Sequence, residues 1–380
     1  MTAYLDHASA WPPSPAVRDA TARWIGHAGS PMAVHDHARA PHEAIEQARE
    51  VVAAITAWPP ESVVFTSGAT EARSLALKGS AGARGAEDPV IAADPLAHAS
   101  VLAAGRSLTR RGGELRLADV DGTGHVPEPA LRQAADGANI IVLTHGQAEV
   151  GTVRDIAAQV AAARSVAPDA TVVLDAGETA GLIPIPDGLG ADMVVIDGRS
   201  LGGPAWTGAL LLRPGTRLHP LIEGGPEEGG KRGGPHDVPG IAGLGAAARE
   251  ALADMPARAA HMRRQATRLA RGACAVPGTR LNGPAPDERL PGHVQVSARG
   301  VEGEAVALAM AARGVAVAPG SACTFGAGKA SPVLEAMGAD DDTARSAVLM
   351  TAGPGTTDDE VAEAIRAYAD AVAALRAMAP

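Results

Sequence analysis

The stretch ADMVVIDGRSLGGPAWTGALLL, residues 191–212, reads as two apolar strands joined by a short Gly-rich turn carrying Asp197, Arg199 and Ser200. Strand ends that deliver polar residues to a sheet edge are where α/β proteins keep their chemistry. VVLDAGETAG ends another apolar run on Asp175, an acid placed either to pair a protonated ring nitrogen or to cap the next helix. His98, in PLAHASVL, occupies a similar strand-to-helix junction, where a lone histidine is more often structural than catalytic. VVFTSGATEARSLALKG has the order strand, turn, helix start. Its backbone N–H groups and the hydroxyls of Ser67 and Thr70 suit an anion; a plain capped connection, with Thr70 near the N-cap and Glu71 in the first turn, accounts for the same residues. Cys323 lies in the Gly/Ser-rich loop PGSACTFGAGK, a setting for a thiol that moves or transfers a group. Cys274, at a helix end in RGACAVPG, reads as inert packing. His35, His37 and His42 are close in sequence, but their spacing suits no standard zinc motif.

The elements that must hold these residues follow from the apolar pattern. From about residue 60 to 215 the runs SVVF, PVIAA, ELRLADV, NIIVLTH, TVVLDAG, DMVVIDG and GALLLRP alternate mostly with segments of helical length. That alternation predicts a mostly parallel seven-stranded sheet covered on both faces. The connection from Val195 to Leu210 is too short for a helical crossover, so that last pair is predicted antiparallel. EGGPEEGGKRGGPHDVPG reads as a long loop, and the helical pattern after it is interrupted at Pro256, which predicts broken helices bridging two domains. The strands HVQVSA, VAVAP and AVLMTA, with a helix between the first two and a closing helix from Asp358, make a smaller α+β domain. The expected division is an N-terminal segment at 1–14 packing with the small domain, a large domain at 15–255 and a small one at 256–380.

Bulk composition narrows the function classes. The chain has 380 residues, a net charge of −10 and only 2% aromatic residues, so base stacking or a broad nucleic-acid footprint is not expected. Two cysteines build no disulfide framework. The opening MTAYLDHASAWPP has neither a basic nor an apolar targeting region, and no apolar run is long enough to span a bilayer; a soluble, cytoplasmic protein is the expectation.

Taken in order, YLDHASAWPPSPAV, AGSPMAVHDHAR, FTSGATEA, LTHGQAEVGTVRDI, LDAGETAGLIPI, GGPEEGGKRGGPHDVPGI and GSACTFG resemble the cysteine desulfurases of the NifS/IscS type, in the class V aminotransferase superfamily. The resemblance runs nearly end to end. It implies the pyridoxal-phosphate fold-type I architecture, like that of aspartate aminotransferase, and dimers with sites at the subunit interface. It also implies a cofactor held by a lysine on the antiparallel hairpin, and a loop cysteine that takes sulfur from substrate cysteine. On this resemblance Asp175 would pair the pyridine nitrogen, His98 would stack on the ring, Thr70 would hold the phosphate and Cys323 would carry the persulfide.

The hairpin departs from the family. Ser200 stands where the resemblance places the Schiff-base lysine, and a hydroxyl forms no imine with an aldehyde. The only lysines, Lys78, Lys231 and Lys329, lie on the helix after the phosphate turn or in Gly-rich loops. Asp197 replaces a phosphate-binding serine, Arg199 a histidine, Glu178 a glutamine and Ala148 an asparagine. Pro235 replaces a threonine that would reach the partner's phosphate, and Leu349 the arginine that would grip substrate carboxylate. These changes predict a degenerate site with no cofactor expected and covalent attachment lost. The reading is an accessory or sulfur-relay protein working through Cys323. It is expected as a homodimer, with a heterodimer with an active desulfurase as the alternative, and a sulfur-acceptor protein as partner. The other readings are an enzyme repurposed around His98, Asp175, Glu178, Asp197 and Arg199, and a working pyridoxal-phosphate-dependent desulfurase.

Overall fold

The computed structural model describes residues 3–85, 88–185, 188–320 and 330–378. Its centre is a seven-stranded sheet in the order Val63–Thr66, Gly208–Leu212, Met193–Asp197, Thr171–Asp175, Ile140–Thr144, Val90–Ala93, Glu114–Leu117. All pairings are parallel except those made by Gly208–Leu212, which runs antiparallel to both neighbours, with Val195 opposite Leu210. The α/β architecture and the antiparallel hairpin are as the sequence predicts.

Alternate residues of each strand feed opposite faces. Phe65, Ile141, Leu143, Leu174, Ile196 and Leu211 enter one apolar cluster. Val64, Ile140, Val142, Val173, Val195 and Leu210 enter the other. Helices cover both, which is why these strands are apolar throughout rather than alternating. A separate cluster joins Leu5 near the amino end to Leu269, Val296, Met350 and Tyr368, around a four-stranded sheet that includes His293–Ala298 and Ala347–Thr351.

Two sequence expectations change. The pattern interrupted at Pro256 forms one helix, Val238–Cys274, not broken helices. Proline there removes only one backbone donor, and Leu252, whose carbonyl would have accepted it, is partly open to solvent. VAVAP is not one strand. Val315–Ala316 pairs with Ala3–Tyr4, whereas Ala318–Pro319 pairs with Ala347–Thr351 in the other sheet.

Parallel strands bring their carboxyl ends to one edge. Asp175 ends Thr171–Asp175, Asp197 ends Met193–Asp197 and Thr144 ends Ile140–Thr144. His98 caps the helix Ala99–Thr109 that follows Val90–Ala93. The hairpin closes tightly against the anion turn: a Cβ on Gly208 would lie 2.7 Å from the Gly68 carbonyl carbon, so only glycine lets the two backbones meet.

Candidate active site

A cavity of about 240 Å³ opens at this sheet edge. Arg73, His98, Asp175, Glu178 and Arg199 line its polar side, and Leu96, Leu102, Val333 and Leu349 its apolar side. Ala148 also lines it.

Arg73, Asp175, Glu178 and Arg199 are each tied to another charged side chain. Arg73 donates through Nε to Asp175 Oδ2 at 2.7 Å and through Nη2 to Oδ1 at 3.0 Å. Burial pushes the Asp175 carboxyl up, but the adjacent guanidinium outweighs it and holds the group below the ordinary carboxylate range. Arg199 donates through Nη2 to Glu178 Oε1 at 2.8 Å and lies 3.3 Å, Nε to Oδ2, from Asp197. Its Nη1 also donates to the Ala8 carbonyl at 2.9 Å. Asp197 accepts the Arg199 backbone N–H at 3.1 Å, fixing the short helical turn Gly198–Leu201 at the strand end. Its carboxyl is nonetheless raised, because burial, together with the neighbouring Glu178 charge, outweighs Arg199.

Ser200 is buried, and its hydroxyl donates to Glu178 Oε2 at 3.3 Å. It is not among the residues lining the cavity. The Glu178 carboxylate is already paired with Arg199, and the serine is placed as a hydrogen-bond donor to it. His98 Nδ1 accepts the Ser100 backbone N–H at 3.1 Å, which leaves the neutral ring's proton on Nε2. Burial, aided by the Arg73 charge, pushes the His98 imidazole down to about 4, so it is neutral near pH 7.

The anion turn is separate from this cluster. A second cavity, of about 170 Å³, is lined by Ser67, Thr207, Arg232, Pro235 and His236. The Ser67 backbone N–H donates to Glu71 Oε2 at 2.7 Å, and Glu71 pairs with Arg232 at 3.0 Å. Thr70 is exposed and lines neither cavity. Gly68 caps the helix Ala69–Arg84. The structure therefore gathers His98, Ala148, Asp175, Glu178, Asp197, Arg199, Ser200 and Leu349, and sets Thr70 and Pro235 apart from them.

Cys323 and Lys329 lie outside the described residues. Cys274, read as packing, is instead exposed at the end of its helix, with its thiol pushed up by partial burial. Arg73 was missed. Its signal was its place three residues after Thr70, which puts it one turn further along the same helix.

The aminotransferase class-V family model matches residues 3–361. The chain belongs to that family. It is 31% identical to cysteine desulfurase IscS 1 of Archaeoglobus fulgidus, over 99% of this chain and 98% of that protein. It is 34% identical to cysteine desulfurase IscS of Shewanella loihica, over 99% of this chain and 94% of that one. A solved NifS-like protein superposes with a TM-score of 0.91 at 25% identity, covering 98% of this chain and all of the other. The class-V resemblance read from the seven segments is thus confirmed, and with it the fold.

Membership in this family overturns the expectation of no cofactor: the comparisons point to pyridoxal phosphate, the group that the resemblance implies for such proteins. The residues present do not fit it as a lysine-anchored group. Ser200 carries no amine, no lysine lines the cavity among the described residues, and both Asp175 oxygens are engaged by Arg73. No helix among the described residues is long and apolar enough to cross a membrane.

Proposed function

We propose that this desulfurase-type family member holds pyridoxal phosphate without a covalent link and serves a sulfur-transfer or biosynthetic system as an accessory or sulfur-relay protein. The observation that carries the reading is the Ser200–Glu178–Arg199 cluster: the lysine's position holds a hydroxyl, and that hydroxyl is committed to Glu178. Bound there, the cofactor would supply an aldehyde and an electron-withdrawing ring. In the relay, the Cys323 thiolate attacks the terminal sulfur of a donor protein's persulfide; a new S–S bond forms, the donor's S–S bond breaks, and the donor leaves as a thiolate. The protein acts as a cytoplasmic homodimer, with a large domain at 15–255 and a small one, joined by the 1–14 segment, at 256–380.

Borohydride reduction after incubation with pyridoxal phosphate, read by intact mass, tests the anchoring. The natural chain is expected to gain no adduct, and Ser200→Lys to gain one. An adduct on Lys78, Lys231 or Lys329 of the natural chain would overturn the reading. It would favour the second one, a working desulfurase, for which relatives of that name over 99% of the chain also speak. Incubation with an active desulfurase and cysteine is expected to place a persulfide on Cys323 that Cys323→Ser abolishes. No sulfur on the natural chain would remove the relay.

A further inference from the structure

A third cavity, of about 330 Å³, lies apart from the sheet edge and shares no lining residue with the cavity there. The amino-terminal segment contributes to both: Ala8 and Ser9 line the sheet-edge cavity, whereas Tyr4 and Trp11 line this one. Leu201 joins them from the short turn Gly198–Leu201, Glu250 and Arg258 from the helix Val238–Cys274, and Glu360 from the first turn of the helix Asp358–Met378. The volume is that of a small-molecule pocket.

Arg258 brings the positive charge. Its side chain is 7% exposed, and its Cζ lies over the Trp11 ring at 5.7 Å from the centroid. Among the described residues one acid reaches it, Asp254, which is 54% exposed; Nε approaches Oδ1 to 3.1 Å without the alignment of a hydrogen bond. A buried guanidinium is best met by a planar carboxylate, and the protein places none in line with this one among the described residues. Two glutamates bring the negative charge. Glu250 Oε1 accepts the Ser14 hydroxyl at 2.8 Å, and Glu360 Oε2 accepts the Thr357 backbone N–H and hydroxyl at 2.7 and 2.9 Å. Among the described residues neither is paired with a cation, and each keeps its second oxygen without a hydrogen bond.

The cavity therefore asks for both signs of charge at once. A ligand carrying only a carboxylate would face two glutamates, and one carrying only an amine would face Arg258. A zwitterion satisfies both, and the apolar surface of Tyr4, Trp11 and Leu201 suits an apolar side chain. We propose that this cavity binds a free α-amino acid with an apolar side chain, its carboxylate on Arg258 and its ammonium on Glu250 and Glu360. The site is independent of the sulfur-relay reading and of any cofactor.

The probes are L-leucine, N-acetyl-L-leucine, which lacks the cation, and L-leucinamide, which lacks the carboxylate, compared by equilibrium dialysis. The natural protein is expected to bind leucine about tenfold or more tightly than either analogue, because one charge-assisted contact is worth that much. Arg258→Gln is expected to lose the preference over leucinamide. The double variant Glu250→Gln/Glu360→Gln is expected to lose the preference over N-acetyl-leucine; it keeps side-chain size and the acceptors for Ser14 and Thr357, and so guards against an Arg258 variant that does not fold. No retention of leucine by the natural protein, or equal affinity for the three compounds, overturns the inference. So does leucine affinity unchanged in the glutamine variants, which would place the amino acid elsewhere, the sheet-edge cavity included.

Discussion

Glu228 places both carboxylate oxygens on Arg49, at 3.0 Å each, from a backbone held at φ +49°. The same carboxylate accepts the Phe65 backbone N–H at 2.8 Å and is 2.9 Å from His236 Nε2. Burial pushes the group up, but His236 and Arg49 outweigh it and bring it to about 2. This network ties the Gly-rich loop to the first strand of the large sheet, next to the anion turn.

Glu228→Ala is therefore expected to destabilise the protein by about 3 kcal/mol, since it leaves the buried Phe65 N–H unpaired and Arg49 with only Glu46 and the Val63 carbonyl. Glu228→Gly is expected to cost about 1 kcal/mol less, because glycine relieves the left-handed backbone that alanine retains. Urea denaturation of both variants checks the pair. Equal losses would show that the backbone carries no strain.

Acid should unfold the protein early. Burial lowers His98, His145 and His293 from an ordinary 6.5 to about 4. In the folded chain these rings stay neutral, while in the unfolded chain they take up protons below about pH 6.5. Their contribution is thus fully present above that pH and is lost as pH falls towards 4. The melting temperature is expected to fall steadily across this window, with protons taken up on unfolding. A melting temperature unchanged from pH 7 to 5 would contradict the burial of these rings.

Pro256 sits exposed in the middle of the Val238–Cys274 helix. Pro256→Ala returns a donor to the helix and removes a ring that clashes with the preceding turn. A gain near 3 kcal/mol in helix propensity, less about 1 for a freer unfolded chain, gives an expected net stabilisation of roughly 2 kcal/mol. Thermal unfolding of the variant checks it. A lower melting temperature would contradict this expectation.

Much of the fold was legible because local pattern determines it. Runs such as NIIVLTH and TVVLDAG must be strands buried on both faces, and a hairpin of fewer than fifteen residues must be antiparallel. Carboxyl ends of parallel strands share an edge, so Asp175 and Asp197 could be assigned to one place from order alone, whereas Glu178 came in only through the family resemblance. The lost amine was equally legible, since the identity of residue 200 is a fact of sequence.

What the sequence could not determine is which charge each side chain meets. Arg73 looks like any arginine in an Ala-rich helix until folding sets it against Asp175, 102 residues away. Arg199 looks like a free cation until Glu178 and Asp197 close on it. Thr70 fits a phosphate turn by motif, yet the helix start leaves it exposed. Backbone preference acts over a few neighbours and is written in order along the chain. Charge pairing in a buried pocket acts through space, and only the assembled sheet edge decides it.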